Sequence, residues 1–294
     1  MTDIKIMVFR HAAFYTPLIA AIAAGFLKKE GLTASYNVLP SGASIIDEVA
    51  SGRVDVAQAA VSLSWNALEK GQKPAIAQFA QINTRDGFFI AAREPDPNFS
   101  WNHLKSGKFM HVHGGQPEVM LRYGAHRMDL DLDEIARINI PSTQEMMDAW
   151  RRGQGDFFHE QGAYPQQLEY ERCAHVVASV GDAVGPVAFS SLVCRWDWLK
   201  TETARRFTHA YRASREWANR SAPDKIAAAE ADYFSEYSPQ AMSWAIETYQ
   251  KSGTWGGDIQ IPKDLYENAL NVFEYSGLIT RRHPYESVVA PPPQ

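Results

Sequence analysis

Residues 39–61, LPSGASIIDEVASGRVDVAQAAV, are matched without a gap by residues 140–162, IPSTQEMMDAWRRGQGDFFHEQG, at an offset of 101. Pro40 falls on Pro141, Ser41 on Ser142, Asp47 on Asp148, Gly52 on Gly153 and Asp55 on Asp156. The apolar positions keep the same register: Leu39, Ile45, Ile46 and Val56 meet Ile140, Met146, Met147 and Phe157. Each copy reads as a strand end, a Pro-Ser turn, an amphipathic helix stopped by glycine, and a short apolar strand opened by aspartate. Two α/β units of one design predict two lobes. The 294-residue length agrees, because single cores tend to split beyond roughly 250–300 residues.

Around the repeat, strands are expected over residues 4–9, 33–39, 54–58, 75–81, 87–93, 108–113, 137–140, 156–159, 174–180 and 187–194. Helices are expected over 16–29, 44–51, 62–70 and 143–152. This alternation is the pattern of a mostly parallel sheet flanked by helices. Pro95 and Pro97 mark a lobe boundary, and residues 181–186 read as a turn-rich link. From Trp198 onward the chain reads as helical. Ala204, Phe207, Tyr211, Ser214 and Ala218 make one stripe, and Tyr266, Leu270 and Phe273 make another closed by Gly277, both read as structural. Residues 290–294, with three prolines, are expected to be a disordered tail.

Several function classes are excluded by bulk properties. A hydrophobic fraction of 45% and a charged fraction of 21% belong to a globular chain, not a disordered or fibrous one. A net charge of −5 without a basic block gives no electrostatic footprint for nucleic acid. Cys173 and Cys194 have no spacing that suggests a disulfide framework or a thiolate metal site. The most apolar span, residues 17–27, falls well short of the roughly 20 residues that cross a bilayer, so it is expected to be a buried helix, without direct membrane insertion. Residues 1–3 lead straight into an apolar segment with neither a basic n-region nor a cleavage site. The expectation is a cytoplasmic location for the chain as written, or a periplasmic one if the chain is a processed or trimmed form.

The strand and loop IMVFRHAAFYTPLIAAIAAGFLKKEGL, the segment SGRVDVAQAAVS and the C-terminal GGDIQIPKDLYENALNVFEYSGLI together resemble the type II periplasmic binding proteins. More narrowly, the chain resembles the nitrate-, sulfonate- and taurine-binding group that also holds thiamine-pyrimidine-precursor proteins. The resemblance implies an α/β fold of two lobes, residues 1–88 with 188–294 and an inserted 89–187, joined by hinge strands at 88–93 and 187–193. It implies closure of the lobes on a small ligand. The function so implied is capture of a small polar organic molecule, such as a sulfonate, an aromatic acid or a pyrimidine-like compound, for a membrane permease of the ABC type. No cofactor is implied. The alternative is a cytoplasmic enzyme of the same fold acting on a pyrimidine-like or aromatic-acid substrate. The sequence leans away from it: nothing like the cysteine-rich motif of thiamine-pyrimidine synthases surrounds either cysteine, no cysteine precedes residue 173 to act as an early nucleophile, and no nucleophile-elbow pattern occurs.

Ligands of open α/β sheets sit beyond the carboxyl ends of the strands, at loops entering helices, and this rule nominates the site residues independently. Arg10, His11, Phe14 and Tyr15 follow the first strand and offer a cation, an imidazole and two rings. Ser41, Gly42 and Ala43 stand at a helix entrance that exposes backbone N–H groups. His113, Gly114, Gly115 and Gln116 form the corresponding entrance in the second lobe. The strand ends differ between copies: Ala59 and Ala60 after Gln58 make room, whereas Glu160 and Gln161 after His159 carry charge and amide. Trp65, Tyr164 and Phe189 are candidate stacking walls. An alternative metal or acid/base cluster would take His11, His113, His159 and Glu160, although no HExxH or HxH signature helix joins them.

Overall fold

The computed structural model describes the chain except for His113 and the side chain of Val112. Among the described residues ten strands form two sheets: β1 (Thr2–Val8), β2 (Leu32–Val38), β3 (Val56–Ala59), β4 (Ile76–Gln81), β5 (Phe88–Ala92), β6 (Lys108–Val112), β7 (Ala136–Ile140), β8 (Phe157–Gln161), β9 (His175–Ser179) and β10 (Ser191–Arg195). The strand order is β2-β1-β3-β10-β4 in one sheet and β7-β6-β8-β5-β9 in the other. The two orders are the same once β10 and β5 are exchanged. Each sheet runs parallel except for that one strand, since β10 pairs antiparallel with β3 and β4, and β5 pairs antiparallel with β8 and β9. The chain therefore passes from the first sheet to the second between β4 and β5 and returns between β9 and β10. The two sheets with their flanking helices form the α/β architecture of periplasmic binding proteins.

The repeat owes its register to identifiable bonds. Asp55 accepts the backbone N–H of Lys5 at 2.9 Å, and its counterpart Asp156 accepts that of Lys108 at 2.8 Å, so each aspartate ties the start of its strand to the first strand of the same sheet. Gly52 and Gly153 take positive φ values of 76° and 85° after the repeat helices, a left-handed backbone that costs glycine little. The N-caps fall differently in the two copies. Ser44 caps Ile45–Ala50 through the Asp47 N–H, whereas Ser142 caps Thr143–Arg151 through the Glu145 N–H. Ser41, the sequence equivalent of Ser142, lies in the exposed turn before its helix.

Three expectations change. The helix expected over 16–29 divides into Thr16–Ala23 and Phe26–Lys29 because Gly25, at φ 76°, interrupts it. The link at 181–186 contains a short helix, Val180–Val184, capped by Ser179. The tail is anchored where it begins: the Gln78 N–H donates to the Val288 carbonyl at 3.0 Å, and the Ala290 N–H donates to the Gln78 carbonyl at 2.9 Å, leaving Val288, Val289 and Ala290 buried against β4. Edge pairing satisfies backbone groups that a proline-rich tail would otherwise leave to water. The long helix Glu202–Arg220 packs on Thr16–Ala23 and buries Phe207 and Tyr211, as its stripe predicts.

Candidate ligand site

Strand and helix ends from both sheets converge on one cavity of about 710 Å³. Phe9, Arg10, Tyr15, Gln58, Ala60, Ser62 and Trp65 line it from the first sheet's side, and Phe88, Gly114, Gly115, Gln116 and Gln161 from the second's. Phe189 and Ser190, on the returning segment before β10, close one wall, and Phe273, Leu278 and Ile279 from the C-terminal region close another. The walls are mainly apolar, with a few placed polar groups, which is the usual make-up of a small-molecule pocket.

Arg10 is the one charged side chain on the wall among the described residues. Its Nη1 lies 3.3 Å from Glu160 Oε1, and its guanidinium carbon stands 5.9 Å from the centre of the Phe88 ring. Glu160 belongs to the other sheet and is 1% exposed, against 36% for Arg10, so the pair joins the two halves of the site with the carboxylate behind the cation. Glu160 also accepts the Thr143 hydroxyl at 2.7 Å and the Gln161 N–H at 2.9 Å. Burial raises its pKa above the ordinary carboxyl value, and Arg10 with these hydrogen bonds opposes that rise. Burial likewise raises the Tyr15 hydroxyl.

The amides on the wall are not equivalent. Gln58 accepts the Phe9 N–H at 3.1 Å and donates to Ser190 Oγ at 3.3 Å. Gln116 accepts the Ser62 hydroxyl at 3.2 Å and donates to the Phe189 carbonyl at 3.3 Å, linking the two lobes. Gln161 is 1% exposed, and its Oε1 has no hydrogen-bond partner among the described residues. Trp65 holds its ring in place by donating Nε1–H to the Tyr266 hydroxyl at 2.8 Å. The helix Gly115–Arg127 points its N-terminus at the cavity, but the Gly114 N–H is already taken by the Glu118 carboxylate at 2.6 Å.

Of the residues nominated from sequence, Arg10, Tyr15, Ala60, Trp65, Gly114, Gly115, Gln116, Gln161 and Phe189 line this cavity. The others lie elsewhere, for local reasons. His11 is held between the Tyr36 hydroxyl at 3.0 Å and the Tyr233 carbonyl at 2.5 Å; if its Nε2–H donates to the carbonyl, Nδ1 is left to accept the hydroxyl. Burial lowers its pKa. Phe14 is fully buried against Phe189 and Tyr249. Ser41 and Gly42 form an exposed turn, with the Ala43 N–H bonded to Pro40. Alternation along β3 sends Ala59 to the face opposite Gln58 and Ala60, where it is fully buried. Tyr164 packs edge-on against Tyr237 at 5.2 Å. Glu160 lies behind Arg10, and His113 is outside the described residues.

For the alternative metal set, His159 is stacked 4.7 Å from Phe88, and burial holds its pKa down at about 3. Among the described residues no group of three or more His, Cys, Asp or Glu could hold a metal ion. Sequence reasoning left out Phe9 and Phe88, which stand at strand ends beside residues it did choose. It also left out Phe273, whose sequence signal is that of an ordinary core stripe, and Leu278 and Ile279, which follow the glycine that closes that stripe.

Two sheets joined by exchanged antiparallel strands over a shared cavity make the fold of the periplasmic binding proteins. The chain belongs to the NMT1-like family, whose model matches residues 6–232. It is 27% identical over 296 residues to a Bacillus subtilis (strain 168) protein named "Putative binding protein YtlA", covering 98% of this chain and 88% of that one. Among solved structures it is similar to the zinc-bound ligand-binding component of an ABC-type import system from Staphylococcus aureus, with a TM-score of 0.77 at 16% identity over 99% of this chain and 97% of that one. It is also similar to the periplasmic aliphatic sulphonate binding protein SsuA from Escherichia coli, with a TM-score of 0.73 at 13% identity over 100% and 94% of the two chains. Among the described residues no helix is long and apolar enough to cross a membrane.

Proposed function

We propose that this protein is the solute-binding component of an ABC-type import system, capturing a small organic molecule in the cavity between its sheets and presenting it to a membrane permease. The observation that carries this reading is the cavity itself, about 710 Å³ in volume and lined by both sheets and by residues next to the segments that cross between them. A ligand there touches both halves at once, so its contacts favour the closed arrangement over an open one. The moving units are residues 1–88 with 188–294 and residues 89–187, bending at β5 and at residues 187–193. The named relatives support the reading through a shared family and a shared fold, and by the same support the protein works outside the cytoplasmic membrane.

A thermal-shift panel of sulfonates, aromatic acids and pyrimidines tests it. A ligand at about 100 times its dissociation constant stabilises by roughly 2.7 kcal/mol. A panel member that stabilises the wild type but not a variant with Ala60→Trp, which fills the cavity, is the expected result. Chemical turnover of a panel compound by the purified protein would instead favour an enzyme.

A further inference from the structure

From the unequal partnering of the polar groups on the cavity wall, we infer that the captured molecule is an aromatic carboxylic acid whose ring carries an N–H or O–H donor beside the carboxylate, with the carboxylate on Arg10 and the donor on Gln161 Oε1. This rests on the solute-binding reading above and narrows it. Three observations on one wall lead to it.

The first is charge. Arg10 is the one charged wall residue among the described residues, and Glu160 already offsets it at 3.3 Å. The nearby helix N-terminus is offset too, because Glu118 occupies the Gly114 N–H. With its one cation already paired, such a wall is unfit for a dianion, whereas the remaining N–H groups of Arg10 can hydrogen-bond a singly charged group, and the plane of a guanidinium matches that of a carboxylate.

The second is the orphaned amide. The other two glutamines on the wall, Gln58 and Gln116, have both ends of their amides engaged, whereas Gln161 Oε1 is buried with no hydrogen-bond partner among the described residues. A buried acceptor left unmet is costly, so a ligand that donates to it gains what the empty site lacks. Gln161 pairs with Phe88 across β8 and β5, and Arg10 stands over that same Phe88 ring. The two polar groups therefore flank one aromatic residue, which sets acceptor and donor close together on the ligand.

The third is the wall itself. Phe9, Phe88, Phe189 and Phe273 line the cavity with Tyr15 and Trp65, so its faces are mainly apolar and aromatic, a surround suited to a ring. A small, strongly hydrated anion would leave those faces without partners.

The test uses isothermal titration of the full chain with 2-aminobenzoate, benzoate and ethanesulfonate. The first carries ring, carboxylate and donor, the second lacks the donor, and the third lacks the ring. We expect 2-aminobenzoate to bind at least about tenfold more tightly than benzoate, and benzoate more tightly than ethanesulfonate. Gln161→Met should bring 2-aminobenzoate down to the benzoate level while leaving benzoate within about twofold. Equal affinity of the two benzoates for the wild type, or equal weakening of both in Gln161→Met, overturns the inference. Preferential binding of ethanesulfonate overturns it while leaving the solute-binding reading intact. If none of the three binds but a pyrimidine does, the inference falls and the solute-binding reading again stands. If nothing in either panel binds, both fall.

Discussion

Replacing Arg10 by methionine tests the central pair of the site. The side chain keeps an unbranched apolar stem and loses the guanidinium with its charge, so Glu160, 1% exposed, is left with the Thr143 hydroxyl and the Gln161 N–H as its remaining partners among the described residues. Removing one member of a buried pair typically costs 3–5 kcal/mol, but a carboxyl group can take up a proton instead. That escape sets a ceiling. Protonation at pH 7 costs about 1.4 kcal/mol for each pH unit above the ordinary value of 4.5, or about 3 kcal/mol. Arg10 is a little more than a third exposed, so water replaces part of what the guanidinium supplied, and the expected loss is about 1–3 kcal/mol. Its pH dependence is diagnostic. Glu160 already has a pKa raised by burial and opposed by Arg10, and without Arg10 the value rises further. A raised carboxyl loses stability as pH rises above its unfolded value, so the deficit of the variant should be small at pH 5 and grow toward pH 8. Urea unfolding at four pH values measures it. Arg10→Met with Glu160→Gln should recover most of the stability at pH 7 and none of the binding of an acidic ligand. A deficit independent of pH, or a double variant no more stable than the single one, would refute the account of the pair.

Three further outcomes are expected. His159 is held neutral with a pKa of about 3, so below pH 6.5 the unfolded chain binds a proton that the folded one refuses; about 2 kcal/mol should be lost by pH 5, and His159→Phe should remove that portion of the acid sensitivity in denaturant titrations. Asp86 is fully buried at the crossing into β5, has a pKa raised to about 8, and accepts the Phe88 N–H at 2.6 Å. A raised carboxyl weakens folding as pH climbs from 3.8 through 8, so Asp86→Asn, which keeps the acceptor, should stabilise by at least about 1 kcal/mol at pH 8 and little at pH 4. Gly87 leaves no room for a side chain, since an added Cβ would lie 2.2 Å from Phe14 Cε2; Gly87→Ala should cost about 1–3 kcal/mol in urea unfolding.

The architecture was legible because the repeat writes its backbone instructions locally. The helix-stopping glycines and the strand-opening aspartates need only a few neighbouring residues to act, and both copies carry them in register. The exchange of β5 and β10 was not legible as such, because pairing across the molecule leaves no periodic signal in either segment. The site divided in the same way. The general rule for α/β sheets nominates residues beyond strand ends, and several of them line the cavity, but which of them face inward depends on side-chain alternation one residue at a time. That is why Ala60 lines the cavity and Ala59 does not. Phe273, Leu278 and Ile279 reach the wall through the packing of the C-terminal region, and the stripe that carries Phe273 looks the same in sequence whether it serves a core or a cavity.

Equivalent backbones carry unequal chemistry here, and the inequality is what makes a site. At the offset of the repeat, Gln58, Ala59 and Ala60 stand opposite His159, Glu160 and Gln161. In the first copy the one polar side chain is engaged with Phe9 and Ser190, and the alanine that follows on the cavity face leaves space. In the second copy the same positions supply a ring under Phe88, a counter-charge for a cation of the other sheet, and an amide with one end unmet. A symmetric pair of strand ends would give either two small walls that hold nothing in place or two polar walls with no room between them. Because the framework bonds, from Asp55 to Lys5 and from Asp156 to Lys108, lie at the opposite ends of these strands, the wall positions Ala60 and Gln161 can differ without touching those bonds.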